Sequence, residues 1–156
     1  MRSVAVVAAL VAGWFLRPTI VLRRDEVHVD AAPDEVFERL HSRMLRSGKV
    51  LGGEPGRAVV RFSGRAGPFR YRTVEEVRFS DRCVTFRHLQ GPFHRCEEVM
   101  HVEPDALGAT TIAHEGELTM RGGLAGWIVG VAAVRPAFER HVGDHLRQLT
   151  AADQSR

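Results

Sequence analysis

The chain has 156 residues, 44% of them hydrophobic and 26% charged, with a formal net charge of +3. That length suits one domain with its own core, and the composition excludes a disordered chain. The basic excess is almost all arginine, Lys49 being the only lysine. With no zinc-ligand spacing or nucleic-acid motif beside it, it reads as solvated strand faces and not as a nucleic-acid surface.

Residues 4–16 form an uninterrupted apolar run, preceded by Arg2 and followed by Arg17-Pro18. Thr19-Ile-Val-Leu22 is apolar again, and Arg23-Arg24 closes the segment. Read through Arg17, which can snorkel, residues 3–22 are just long enough to span a bilayer. A cleaved secretory signal and an apolar helix packed on the domain are the rival readings. The expectation is one extra N-terminal apolar helix, 1–22, acting as a membrane anchor outside the sheet-helix core. More arginines follow the run than precede it, which leaves the folded domain on the cytoplasmic side. The domain itself is expected over 23–151, with 152–156 as a tail.

Val27 and Val29 alternate as in a strand, and the pattern then turns helical at Pro33. Val36, Phe37, Leu40 and Leu45 make one stripe of a helix over 33–46. Pro33 suits its first turn, and Asp34 and Glu35 suit the positive end of its dipole. Leu51-Gly-Gly-Glu-Pro-Gly56 reads as a loop. Ala58, Val60 and Phe62 share a strand face, and Gly64-Arg-Ala-Gly67 reads as a turn. Phe69, Tyr71, Thr73, Glu75, Val77 and Phe79 form one face of a long strand. Ser80-Asp81 turns it, and Val84, Phe86 and His88 follow on the inner face. Gly91 supplies the next turn, and strands over 93–102 and 110–120 complete an antiparallel meander with one packed face.

A last helix spans 124–149. Leu124, Trp127, Ile128, Val131, Val134, Phe138, Val142, Leu146 and Leu149 recur at helical spacing. Its first half carries no charge, its second half is amphipathic, and Pro136 is expected to kink it between them. Gly122, Gly126 and Gly130 lie four apart, so a backbone or a ligand can come close there.

Three stretches carry a resemblance: the strand-helix opening Val27-His-Val-Asp-Ala-Ala-Pro-Asp-Glu-Val-Phe-Glu-Arg-Leu40, the Gly91-Pro92-Phe93 turn with its strand ending in Glu103-Pro104, and Arg135-Pro136-Ala-Phe-Glu-Arg-His141 in the terminal helix. In that order they resemble the START-like (SRPBCC) superfamily, also called the Bet v 1-like or polyketide cyclase/dehydrase and lipid-transport group. The resemblance covers roughly 24–150. It implies an α+β helix-grip fold, a curved antiparallel sheet wrapped around the C-terminal helix with a cavity between them. It also implies a hydrophobic ligand such as a lipid, isoprenoid or polyketide, and in some members a cyclase or dehydratase activity. No catalytic motif is shared across the group, so none is carried over. Met100 and Val102 stand where quinone-binding members tend to have aromatic residues.

Loop lengths then set expected registers. His88 is placed opposite His94, Val84 opposite Glu98, Glu98 opposite His114, and Thr73 opposite His88. All keep the apolar residues on one face. They also set Glu75, His88, His94, Glu98 and His114 among apolar neighbours, where ionisable groups are costly unless paired. The expected ligand-contacting set is Tyr71, Thr73, Glu75, Phe86, His88, His94, Glu98, Met100, His114, Trp127 and Val131. The polar cluster admits three readings: a solvated cavity mouth, ligand-orienting groups in an apolar pocket, or acid–base catalysis by Glu98 and His114. No metal site and no cofactor is expected. Cys83 and Cys96 fall on opposite faces of a hairpin, so no disulfide is expected. The expected function is a carrier or binding domain for a hydrophobic small molecule, tethered to a membrane, with no nucleic-acid partner. The alternative is a cyclase or dehydratase using Glu98 and His114.

Overall fold

Alternation of apolar and polar residues carries the chain back and forth through one antiparallel sheet. The computed structural model describes residues 16–66, 69–106 and 108–151. The elements are β1 (Ile20–Val21), β2 (Asp25–Val29), α1 (Pro33–Ser47), β3 (Lys49–Glu54), β4 (Arg57–Ala66), β5 (Phe69–Ser80), β6 (Cys83–Gln90), β7 (Phe93–Pro104) and β8 (Thr110–Met120). A terminal helix follows as α2 (Gly123–Val129), a π-helical turn (Gly130–Val134) and α3 (Arg135–Ala151). The strands run in the order β1-β8-β7-β6-β5-β4-β3, and β2 also pairs with β8. This is the expected helix-grip arrangement: a curved antiparallel sheet and a long C-terminal helix.

The start of the chain differs from expectation. The part of the apolar run before residue 16 lies outside the described residues, and the extra N-terminal helix finds no support in the part that is described. Ile20 pairs with Leu118 and Val21 with Glu117. Ile20 and Leu22 are only 3% and 4% exposed, in a cluster with Phe93, Cys96 and Leu118. The physical reason is the free edge of β8. Its N–H and C=O groups need partners, and the residues before Arg23 supply them. Leu22 N–H, for example, donates to the Gly116 carbonyl at 2.9 Å. No helix among the described residues is long and apolar enough to cross a membrane.

The stretch read as a loop, 51–56, belongs largely to β3, which pairs with β4 around a bulge between Val50 and Gly52. Every residue of this edge strand is exposed, so no apolar alternation marks it. Gly64 lies inside β4 and not in a turn.

The packed face of the sheet meets α1 through Val36, Leu40 and Met44 and meets α3 through Val142 and Leu146. Each inner strand contributes: Val60, Val77, Val84, Phe86, Met100, Val102 and Ile112 are all buried. The terminal helix does not break at Pro136. Instead the turn ahead of it widens, and the Arg135 N–H reaches the Gly130 carbonyl. A proline lacks an N–H and crowds the carbonyl one turn back, and a π turn makes room for it. The small face of α2 packs on the end of the sheet. A Cβ at Gly126 would fall 1.9 Å from the Arg121 carbonyl oxygen, and one at Gly130 would fall 2.4 Å from Ile20 Cδ1. These glycines therefore serve close packing.

Candidate functional site

Between the sheet and α3 lies a cavity of about 500 Å³. Its walls are mostly apolar: Met44, Phe62, Phe86, Phe93, Met100, Phe138 and Val142. The period of two along β5 aims Tyr71, Thr73 and Glu75 inward together, and β7 aims Glu98 and Met100. Helical spacing in α3 brings Phe138, His141, Val142 and His145 to the opposite wall.

Six of the eleven residues expected to meet a ligand line this cavity: Tyr71, Thr73, Glu75, Phe86, Glu98 and Met100. The other five do not, and each has a local cause. His94 is exposed, and Arg17 Nη1 donates to its Nε2 at 2.8 Å. A bulge between Phe93 and Arg95 inserts one residue, so Phe93 and Cys96 both point inward and His94 is turned out. His88 keeps the inner face but packs its ring against Phe93, with centroids 5.3 Å apart. Both its ring nitrogens are buried with no hydrogen-bond partner among the described residues. Burial, aided by Arg121, pushes its pKa down. His114 is 2% exposed and sits behind Glu98. Trp127 packs in the cluster of Ile20 and Leu118, and Val131 is exposed on the outer side of the π turn.

The expected pairing of Glu98 with His114 is present, though by another route. Directly opposite Glu98 is Gly116, while His114 lies opposite Met100. A Cβ at position 116 would come 3.0 Å from Glu98 Cγ. The bare glycine leaves Glu98 room to lean along the strand. His114 Nε2 then donates to Glu98 Oε2 at 2.9 Å. Cys96 Sγ also donates to Glu98 Oε1, at 3.5 Å. Burial, with Glu98 and Glu75 adding to it, pushes the Cys96 thiol far up, so this is a packed thiol and not a nucleophile.

No cation pairs with Glu75 among the described residues. Burial first, then the Glu98 carboxylate, push its pKa from 4.5 to about 7. The nearby Thr73 hydroxyl opposes this only weakly, because its buried oxygen is outside hydrogen-bond geometry with every described residue. At the other end of the cavity Tyr71 Oη lies 3.0 Å from His141 Nε2. Gly64 allows it: a Cβ there would fall 2.7 Å from the Tyr71 hydroxyl. Burial, then Glu75 and Glu98, raise the Tyr71 pKa. Burial, then Arg43 and His141, lower that of His145. Residues His141 and His145 were not anticipated. Their signal was available in the i, i+3 spacing of His141 from Phe138 and of His145 from Val142, but the charge-free first half of the helix drew the ligand face toward Trp127 and Val131. No group of three or more possible metal ligands occurs among the described residues.

The arrangement is an apolar chamber with hydrogen-bonding groups at two points, Tyr71–His141 and Glu75–Glu98. It can hold an apolar molecule and fix its orientation through one or two polar atoms.

The family described as polyketide cyclase/dehydrase and lipid transport has a model that matches residues 23–152. No curated protein matches the chain. Among solved structures, a protein of Thermus thermophilus is similar with a TM-score of 0.69 at 19% identity, over 86% of this chain and 95% of that one. A Streptomyces aromatase/cyclase is similar with a TM-score of 0.68 at 17% identity, over 89% and 96%. A START superfamily protein of Mycobacterium smegmatis is similar with a TM-score of 0.59 at 14% identity, over 85% and 99%. These likenesses establish the fold.

Proposed function

The chain belongs to the polyketide cyclase/dehydrase and lipid-transport family, and from that premise we propose that it binds and carries one apolar small molecule between its sheet and α3. The family supports a hydrophobic-ligand-binding or polyketide cyclase-like domain. The observation that carries the carrier reading is the cavity of about 500 Å³, a size suited to a small-molecule ligand, with few polar groups in an apolar wall. The finer assignment is a lipid, isoprenoid or polyketide-like molecule.

Native mass spectrometry of gently extracted protein tests it, together with titration by the neutral fluorophore N-phenyl-1-naphthylamine. One bound apolar molecule per chain is expected. Ala137→Trp, at the cavity wall, should abolish fluorophore uptake while leaving the circular dichroism unchanged. Absence of any bound molecule and of any uptake by the unaltered protein would defeat the reading.

One observation favours a second reading, an enzyme of cyclase or dehydratase type. Glu98 lines the cavity with His114 in hydrogen-bond reach behind it, and Glu75 titrates near neutrality. These are the properties of an acid–base site. Here Glu98→Gln should remove turnover of a cyclisable substrate while fluorophore binding survives. Equal turnover by this variant rules the role out.

Membrane tethering by the apolar run 4–16, with the domain on the cytoplasmic side, is part of the same proposal. Its support is the hydropathy of that run and the arginines that follow it; at 13 residues the run by itself is shorter than a full span. The full-length chain should pellet with membranes and resist extraction by high salt. A variant that removes the run must keep Ile20 and Leu22, which the sheet uses.

A further inference from the structure

Residues 55–74 contain five arginines and not one aspartate or glutamate. The registers put all five on the outer face of the β4–β5 hairpin. Arg65 lies directly opposite Arg70, and Ser63 lies opposite Arg72. Arg61 is one alternation further along that face, and Lys49 of β3 lies directly opposite it. Arg57 pairs with Glu54 and Glu76. The other four arginines make no ion pair among the described residues. Like charges directly opposite on a sheet are unfavourable, and a bound anion relieves them. Arginine in particular presents a planar fork that fits a phosphate.

Two more observations say which anion. Arg70, Ser63 and Gly64 also line the cavity, so the basic face adjoins its rim. The edge strand beside Arg61 exposes Leu51, at 43%, in its bulge and, on the cavity side of the sheet opposite Val60, Val50 at 47%. A nucleic acid or an acidic protein surface matches the charge but not this apolar border. An anionic bilayer matches both, because its surface attracts cations and its interface accepts apolar side chains.

We propose that the outer face of the β4–β5 hairpin, through Arg61, Arg65, Arg70 and Arg72, docks the domain on an anionic lipid surface with the cavity rim next to the headgroups. This contact is separate from any attachment through the N-terminal run. It stands beside the ligand reading and not on it: a protein that binds vesicles but no fluorophore keeps the one and loses the other.

The test is co-sedimentation of the full chain with phosphatidylcholine vesicles, with and without about one third phosphatidylglycerol. Binding to the anionic vesicles should be at least about tenfold tighter in low salt, and that preference should vanish by about 0.5 M salt. The quadruple variant Arg61→Gln, Arg65→Gln, Arg70→Gln, Arg72→Gln should lose the preference and leave binding to pure phosphatidylcholine unchanged. Lysine at the same four positions should restore most of it, which separates lost charge from lost fold. A preference that persists in the folded glutamine variant overturns the proposal. So does an unaltered protein that ignores anionic vesicles, and retention on heparin or an acidic protein in that case reassigns the patch.

Discussion

Glu75 and Glu76 are neighbours in sequence and both are shielded from water, yet their acidities are driven in opposite directions. Glu75 faces the cavity with another carboxylate nearby, and its pKa rises to about 7. Glu76 faces the other side of the sheet and is only 2% exposed, but what covers it is guanidinium. Arg57 Nε donates to its Oε2 at 2.7 Å, Arg78 Nε to its Oε1 at 2.9 Å, and an Arg87 nitrogen lies 3.3 Å away. The Arg57 hydrogen bond, with Arg78 beside it, holds this carboxyl below its ordinary range against the opposing effect of burial. Loss of water does not by itself decide a carboxylate's acidity; what replaces the water does.

A third carboxylate, Glu98, has a weak contact from the Cys96 thiol at 3.5 Å and one strong partner, His114 at 2.9 Å, and gives the largest expected effect. His114→Ala removes that partner from a nearly buried site and leaves Glu98 against apolar walls. The variant should lose about 3–5 kcal/mol of stability in urea unfolding at neutral pH. Adding Glu98→Gln should recover part of this, because the stranded charge is then gone. No recovery would mean that His114 acts through packing alone.

Next comes Glu75→Gln, with the opposite sign. Below pH 4.5 the carboxyl is protonated in both folded and unfolded chains and contributes nothing. Between 4.5 and about 7 the unfolded chain ionises first, so folding stability falls as pH rises. Above 7 the loss is complete, on the order of 3 kcal/mol. The glutamine variant should therefore match the unaltered protein in acid and exceed it at pH 8. Parallel stability curves across that window would show that Glu75 titrates normally.

Glu76→Gln should tilt the other way. A depressed pKa gives stability that is present above about 4.5 and lost as pH falls through the folded value. The variant should be weaker at neutral pH and equal in acid. Its effect should be smaller than that of Glu75→Gln, because all three arginines are about half exposed and solvent screens them. Smallest of all is Tyr71→Phe. Its bond to His141 is exposed, so stability should change by at most about 1 kcal/mol. Any ligand whose polar atom meets that hydroxyl should bind several-fold more weakly, as a titration of both proteins would read.

Much of the fold could be read because side-chain direction in a strand repeats every two residues. Three turns each fall one residue later than loop length suggested, which slides each pairing by two. Val84 thus meets Met100, and Phe86 meets Glu98. A slide of two changes partners but not faces, so Glu75 and Glu98 still reach the cavity. The bulge at His94 is a slide of one, and there the face was lost. β3 carries no alternation to read, since nothing on it is buried. Ile20 and Leu22 were hidden by an apolar run whose hydropathy suits lipid and core equally well. At the far end, the helix face that roofs the cavity follows from the π turn, and hydrophobic spacing alone does not reveal a turn with an extra residue.

That turn has a consequence for how the protein can change by descent. It holds one residue more than an α-helical turn, and it separates a segment that seals the sheet end from a segment that roofs the cavity. Losing a single residue between Gly130 and Val134 would rotate everything after it by roughly 100° about the helix axis. Phe138 and His141 would swing away from the chamber together, while Gly126 and Trp127 stayed in place. Substitutions in this helix act one side chain at a time, but a one-codon deletion here would replace an entire wall of the chamber at once.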